Sequence, residues 1–294
     1  MIDYIQVHDL QLGPLTIHPF GLLVATGVLM GVELAKHRGR ALGLPAGELA
    51  SFIGWMLFVG FVGGHVLDEL FYHPHEAVER PWSLLFIWQG LSSFGGFTGG
   101  LLGVLMWRRF NVRHVSLLRG FLSVLMPTPR PAPLSMLPYC DVILAVFPVA
   151  WFFGRLGCTV VHDHPGMAAS PSAPLAVAYG AGPTTSWLLF DLRHGNTPRY
   201  DLGLLEMLFS LAVAIVFATT WRKRLPMGWY VAILPLVYAP VRFGLDFLRL
   251  DDPHGGDLRY SGFTPAQWAC IALFGFALFM TLRLTRTADA PGAV

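Results

Sequence analysis

Four side chains near the end of the chain have the types and spacing of an anion site. Tyr238, Arg242, Asp246 and Arg249 are four, four and three residues apart, so a helix would carry them on one face. Two guanidinium groups flanking one carboxylate leave a net positive charge, and an arginine fork matches the oxygens of a phosphate. A buried Arg–Asp pair joining helices is the bland alternative, but it needs no second arginine. Arg155 stands in Phe153-Gly154-Arg155-Leu156-Gly157, where flanking glycines let a ligand or another backbone come close. Three arginines converging at one depth are enough to hold a phospholipid head group.

The histidines are the other reactive set. His162-Asp163-His164 begins seven residues after Arg155, and His73, His75 and His254 lie in other loops of the same side. For the pair His162 and His164, a general base, a head-group ligand and a solvated turn ahead of Pro165-Gly166 all stay open. His162 and His164 with Asp163 could also ligate a metal, but no HExxH motif or multi-histidine array accompanies them, so a metal is not expected. His65 and Glu69 share a helical face. The run from Gly95 to Gly103 holds five glycines, both ends included, but lacks the lysine of a phosphate loop. Tight helix packing or a backbone break beside a cavity is the better reading. Cys140, Cys158 and Cys270 are too few and too odd in number for a disulfide framework.

The elements that must position these groups are membrane helices. Of the 294 residues, 54% are hydrophobic and only 13% charged, with mean hydropathy +0.55. That is about half the roughly 25% charge of soluble domains, which excludes a water-exposed globule, a disordered chain and a disulfide scaffold alike. Apolar runs at residues 17–35, 49–72, 94–107, 139–157, 202–221, 228–247 and 265–284 approach or exceed the roughly 20 residues a spanning helix needs. The third is short enough to be broken or re-entrant. The expectation is an all-α polytopic protein of about seven transmembrane helices, one membrane domain over residues 1–294. Asp3 and Asp9 before the first run, with no basic segment or small-residue cleavage site, argue against a cleaved signal peptide. Thirteen Lys and Arg residues fall in one set of alternate loops and four in the other, which puts the N-terminus outside and the C-terminus in the cytoplasm. Residues 159–200, rich in Pro, Gly, Ser and Ala, are expected to form a small irregular extracytoplasmic cap. Residues 112–138 predict an interfacial helix followed by a stiff proline-rich linker.

Ionisable groups inside such spans cost about 2.5–3.5 kcal/mol each at the bilayer centre. Glu33, His65, Asp68, Glu69, Asp141, Arg155, Glu206, Arg242 and Asp246 are therefore informative, although Glu33 and Asp141 can equally serve as caps.

At these residues the chain resembles the prolipoprotein diacylglyceryl transferase family, along nearly all its length. Gly13-Pro14-Leu15-Thr16-Ile17-His18-Pro19-Phe20-Gly21 is similar to the family's opening. Gly63-Gly64-His65 with Leu70-Phe71-Tyr72 resembles its second span, His65 standing where arginine is usual. Asp141 with Gly154-Arg155-Leu156-Gly157 resembles the signature segment, which continues with Asn in the family and Cys158 here. Pro198-Arg199-Tyr200 with Glu206, and the Tyr238–Arg249 set with Asp246 for the family's Glu, match two further spans. The departures are specific. Thr98, before Gly99 and Gly100, replaces a family histidine that matters to activity; Phe20 replaces a tyrosine and Gly203 a glutamine.

The resemblance implies seven spans with an outside N-terminus, as the charge count expects independently. It implies a bacterial inner-membrane transferase that moves the diacylglyceryl group of phosphatidylglycerol to the lipobox cysteine of a prolipoprotein, without metal or organic cofactor. Arg155, Arg242 and Arg249 would hold phosphate, and Asp246 would orient them. Tyr238, Glu206, Thr98, Gly99 and Gly100 would contact or support the lipid. His162, His164 or His18 would take the thiol proton that Thr98 cannot. The rival reading is a diverged, non-catalytic protein that binds or moves an anionic lipid.

Overall fold

The computed structural model describes residues 1–71, 74–86, 90, 92–117, 122–223, 225–250 and 259–288. Among the described residues six helices are long and apolar enough to cross a membrane: α1 (Pro19–Ala41), α2 (Ala46–Phe71), α5 (Leu137–Val161), α6 (Leu202–Thr220), α7 (Trp229–Leu245, with its spanning run continuing to Leu248) and α8 (Pro265–Ala288). Between them come the short α3 (Pro74–Glu79) and α4 (Ser93–Arg109). The helix α4 covers the third apolar run unbroken, and its 17 residues span roughly 26 Å against a hydrocarbon core of about 30 Å. Large apolar side chains such as Leu29, Phe58, Leu101, Ile215 and Phe279 point outward along these helices, as lipid-facing residues do and as a soluble protein's rarely do. The result is a polytopic, mostly helical membrane protein.

The chain divides into two compact units, residues 1–35 with 141–294, and residues 36–140. In the first, α7 packs along α8, and Ala145, Val213, Phe217, Tyr230 and Leu234 form a buried cluster joining α5, α6 and α7. Gly27 of α1 lies so close to α5 that a Cβ there would sit 2.8 Å from the Ala150 carbonyl oxygen. The start of α7 has Gly228 at its cap, with no side chain to satisfy the first N–H groups. Asp141 of α5 supplies the acceptor instead, taking Tyr230 N at 2.8 Å and Val231 N at 3.3 Å. Of the two readings open for Asp141, the capping one therefore holds, on a neighbouring helix rather than its own.

The region expected to be irregular is a sheet. Strands β1 (Ile2–Val7), β6 (Pro165–Ala168), β7 (Ala176–Tyr179), β8 (Thr184–Ser186), β9 (Phe190–Arg193) and β10 (Thr197–Asp201) pair in the order β6-β10-β7-β1-β9-β8. The N-terminal strand sits inside it, parallel to β7 and antiparallel to β9. The strands are three to six residues long, and β7 is mostly buried alanine and valine, so composition hides them. The partner that completes the sheet comes from the far end of the chain, which no local pattern shows. A small hairpin of β2 (Leu10–Leu12) and β3 (Leu15–Ile17) then leads into α1.

In the second unit the interfacial helix is likewise replaced by strands, β4 (Phe110–Leu117) and β5 (Leu122–Pro129), paired antiparallel from Phe110–Pro129 to Leu117–Leu122. The β-branched Val112, Val115 and Val124 favour strands over a helix. The proline-rich segment beyond is pinned by Arg130. Its guanidinium holds Glu48 in two bonds of 3.0 and 2.8 Å and its Nε donates to the Trp107 carbonyl at 3.1 Å. The glycine run is a packing device: a Cβ on Gly99 would lie 2.4 Å from the Val59 carbonyl oxygen, and one on Gly103 2.4 Å from that of Trp55. Glycine is what lets α2 and α4 touch backbone to backbone.

Candidate functional site

The first unit buries an ionic centre among α5, α6 and α7. Arg155 lies one turn below Trp151 on α5, so its guanidinium covers the indole ring at 4.7 Å. Its Nη2 meets Glu206 Oε2 of α6 at 3.2 Å, and both side chains are nearly buried, at 9% and 4% exposure. The other carboxylate oxygen of Glu206 accepts from Trp151 Nε1 at 3.1 Å and from the Tyr238 hydroxyl of α7 at 2.9 Å. A buried carboxylate needs several donors to offset its lost hydration, and here three side chains supply them. Arg155 Nη1 also approaches the Cys158 sulfur at 3.9 Å. Its Nε is buried with no hydrogen-bond partner among the described residues. That N–H is the free edge of an otherwise committed fork, and an anion oxygen is the acceptor it fits.

The second group forms where α7 ends. The expected continuous helical face is interrupted: α7 stops at Leu245, Asp246–Leu248 is a 3-10 turn, and Arg249 is extended. The contacts expected of that face are nevertheless made. Asp246, fully buried, accepts from Arg242 Nη1 at 2.5 Å and lies 3.5 Å from Arg249 Nε, while the Thr264 hydroxyl donates to its second oxygen. Glu206 is within electrostatic reach of Arg242, which links the two groups into one field.

Sequence reasoning missed three supporting residues. Trp151 is one turn from Arg155 and was legible from that spacing. Thr264 and Gln267 form a reciprocal cap at the start of α8, Thr264 N bonding Gln267 Oε1 at 3.0 Å and Gln267 N bonding Thr264 Oγ1 at 3.1 Å. Thr-x-x-Gln before an apolar run is the sign of such a box.

The histidines separate. His162 is 5% exposed, with Nδ1 on Asp201 at 2.7 Å and Nε2 on the Ile5 carbonyl at 3.0 Å. Its ring stacks on Tyr4 with centroids 3.9 Å apart. Both nitrogens face acceptors, so the ring ties β1 to the start of α6, where Asp201 also caps Leu204 N at 2.9 Å. Tyr179 donates to the same Asp201 oxygen at 2.9 Å, and burial with that neighbouring charge raises its hydroxyl well above the ordinary tyrosine value. His164 is more open, and its Nδ1 touches Asp163 Oδ1. His18 is exposed and pairs with Asp9 at 3.0 Å.

Thr98, Gly99 and Gly100 belong to the other unit. Thr98 is exposed on α4, and Gly99 faces α2 as a packing residue rather than an open ligand surface. His65 is fully buried there, between the carbonyls of Ser83 at 3.1 Å and Gly90 at 3.4 Å. The Ser83 hydroxyl donates to Glu69 at 2.9 Å, so that histidine and acid hold the 3-10 turn at residues 81–85. The three cysteines are free thiols.

A family model described as prolipoprotein diacylglyceryl transferase matches residues 8–283. Among curated proteins, one from Nitratidesulfovibrio vulgaris is 28% identical over 289 residues, covering 96% of this chain and 95% of that protein. One from a Janthinobacterium species is 28% identical over 281 residues, covering 93% of each. One from Burkholderia thailandensis is 26% identical over 315 residues, covering 99% of this chain and 97% of its own. All three are named phosphatidylglycerol–prolipoprotein diacylglyceryl transferase.

Proposed function

The chain belongs to the prolipoprotein diacylglyceryl transferase family, a family of membrane transferases, and on that premise we propose that it moves the diacylglyceryl group of phosphatidylglycerol to the lipobox cysteine of a prolipoprotein. The observation that carries the reading is the buried Arg155 with its unsatisfied Nε beside Glu206 and Tyr238. The reaction asks little else. The acceptor thiol, ordinarily ionising near about 8.5, loses its proton. Its sulfur forms a bond to the glyceryl carbon while the carbon–oxygen bond to phosphate breaks, and glycerol phosphate leaves with the electron pair. Arg155 and Arg242 hold the phosphate charge as it develops. Glu206 and Asp246 keep the two forks aimed, and Arg249 adds to the field.

The proton acceptor in this reading is His164, oriented by Asp163, since His162 is committed on both ring nitrogens. His18 is the second choice. Thr98 and Gly100 retain a lipid-facing role here, while Gly99 contributes by packing.

The same reading takes α4 as a seventh crossing, with the N-terminus outside the bacterial inner membrane and the sheet as an extracytoplasmic cap. The thirteen-to-four charge asymmetry supports it, as do the basic last turns of α1 and α4. Complementation tests the function: expression in a strain depleted of its own diacylglyceryl transferase should restore growth and lipoprotein maturation. Stable membrane insertion without any rescue would favour a lipid-binding relative.

A further inference from the structure

Past the end of α5 the chain doubles back. His162 has a φ of +50°, a left-handed conformation that residues with a Cβ adopt only when held there. The bonds to Asp201 and Ile5 hold it. The bend returns Asp163 and His164 over the last turn of α5, where Cys158 sits. One nitrogen of His164, one carboxylate oxygen of Asp163 and the Cys158 sulfur lie within 4.8 Å of one another.

We propose that Cys158, Asp163 and His164 bind a divalent metal ion of the zinc class. The donor set decides the class: one sulfur, one imidazole nitrogen and one carboxylate oxygen suit a borderline-soft ion, whereas magnesium and calcium take oxygen ligands. Metal–ligand distances of about 2.0–2.3 Å around a tetrahedral ion require only small side-chain shifts from the present spacing. Charge agrees, because a thiolate and a carboxylate together neutralise a dication. Arg155 Nη1 lies 3.9 Å from the sulfur, and its own charge is already met by Glu206. His164 is anchored through its backbone, whose carbonyl accepts Leu202 N at 3.1 Å. Cys158 is buried, His164 half-buried and Asp163 exposed, so the ion enters from the water side. Three protein ligands leave the fourth position to water or to an incoming thiol, the arrangement of reactive rather than structural zinc. With an ion in place His164 is a ligand and not a proton acceptor. The inference concerns binding alone and stands whatever reaction the protein performs.

The test uses the full chain in detergent, stripped with a chelator and then given zinc or cobalt alone. About one equivalent of zinc should survive dialysis, and cobalt should give a thiolate-to-metal charge-transfer band. Cys158→Ser should abolish that band, whereas Cys140→Ser and Cys270→Ser should keep it. His164→Ala should weaken zinc binding by more than the roughly 10–100-fold that loss of an outer-shell partner costs. Should Cys158→Ser not fold, protection of Cys158 from alkylation by zinc in the unmutated protein gives the same answer by mass spectrometry. Absence of stoichiometric metal, a cobalt band unchanged in Cys158→Ser, or Cys158 alkylated equally with and without zinc would overturn the proposal.

Discussion

Two helix contacts, one in each unit, are built by different means. In the first, α5, α6 and α7 meet through buried ions: Arg155 on Glu206, with Trp151 and Tyr238 completing the carboxylate's shell. In the second, α2 and α4 meet through bare backbone, glycine against glycine, with Gly63 so placed that a Cβ would stand 2.8 Å from Gly99 Cα. Packing of the second kind is enough to assemble membrane helices. The ions of the first unit exceed what assembly requires, and the proposed phosphate site rests on them, with the buried Arg155 Nε that has no hydrogen-bond partner among the described residues.

That contrast breaks first at Glu206. Glu206→Ala strands Arg155 as an unpaired buried charge and should destabilise the protein by about 3–5 kcal/mol, read as a large fall in the thermal transition in detergent. A small shift would mean that the pair is solvated and the centre is not a dry ionic site. Next comes Gly99→Leu, which drives a side chain into the α2 backbone. It should cost about 1–3 kcal/mol, the range for overpacking, by the same measurement. An unchanged transition would remove close α2–α4 contact from the account.

The sequence shows these two regions unequally well. The ionic centre was legible because lipid makes every charge conspicuous, and Arg155, Glu206, Arg242 and Asp246 stood out on cost alone. Helical spacing then supplied most of the contacts, although the 3-10 turn after Leu245 was not foreseeable from a period of 3.6. Glycine packing was legible as one of two readings. The sheet was not, because short strands such as β7 have no alternation to read and their partner β1 lies over 160 residues away in the chain. His162 was misleading for the same reason: Asp201 and Ile5, which occupy it, are distant in sequence.

The sheet offers the smallest expected effect. Tyr179→Phe removes one hydroxyl from Asp201 and should cost about 1 kcal/mol. Burial beside Asp201 raises the tyrosine's folded-state value above its unfolded one near about 10. Its contribution is thus intact below that pH and lost as the pH climbs past it. The unmutated protein and the Phe variant should therefore converge in stability above about pH 10. Parallel pH profiles would mean that the hydroxyl is not held protonated by that pair.

Transfer itself is the most direct measurement. Purified protein is given phosphatidylglycerol labelled in its acyl chains and a lipobox peptide, and the label appearing in thioether linkage on the peptide cysteine is followed over time. The unmutated chain should transfer label, and Arg155→Lys should fall by roughly 10²–10³, the range for loss of a preorganised charge donor, with its thermal transition little changed, since a lysine ammonium cannot reproduce the fork. No transfer by the unmutated protein, or full transfer by Arg155→Lys, would contradict the assignment of this ionic centre as the phosphate-holding site of a diacylglyceryl transferase.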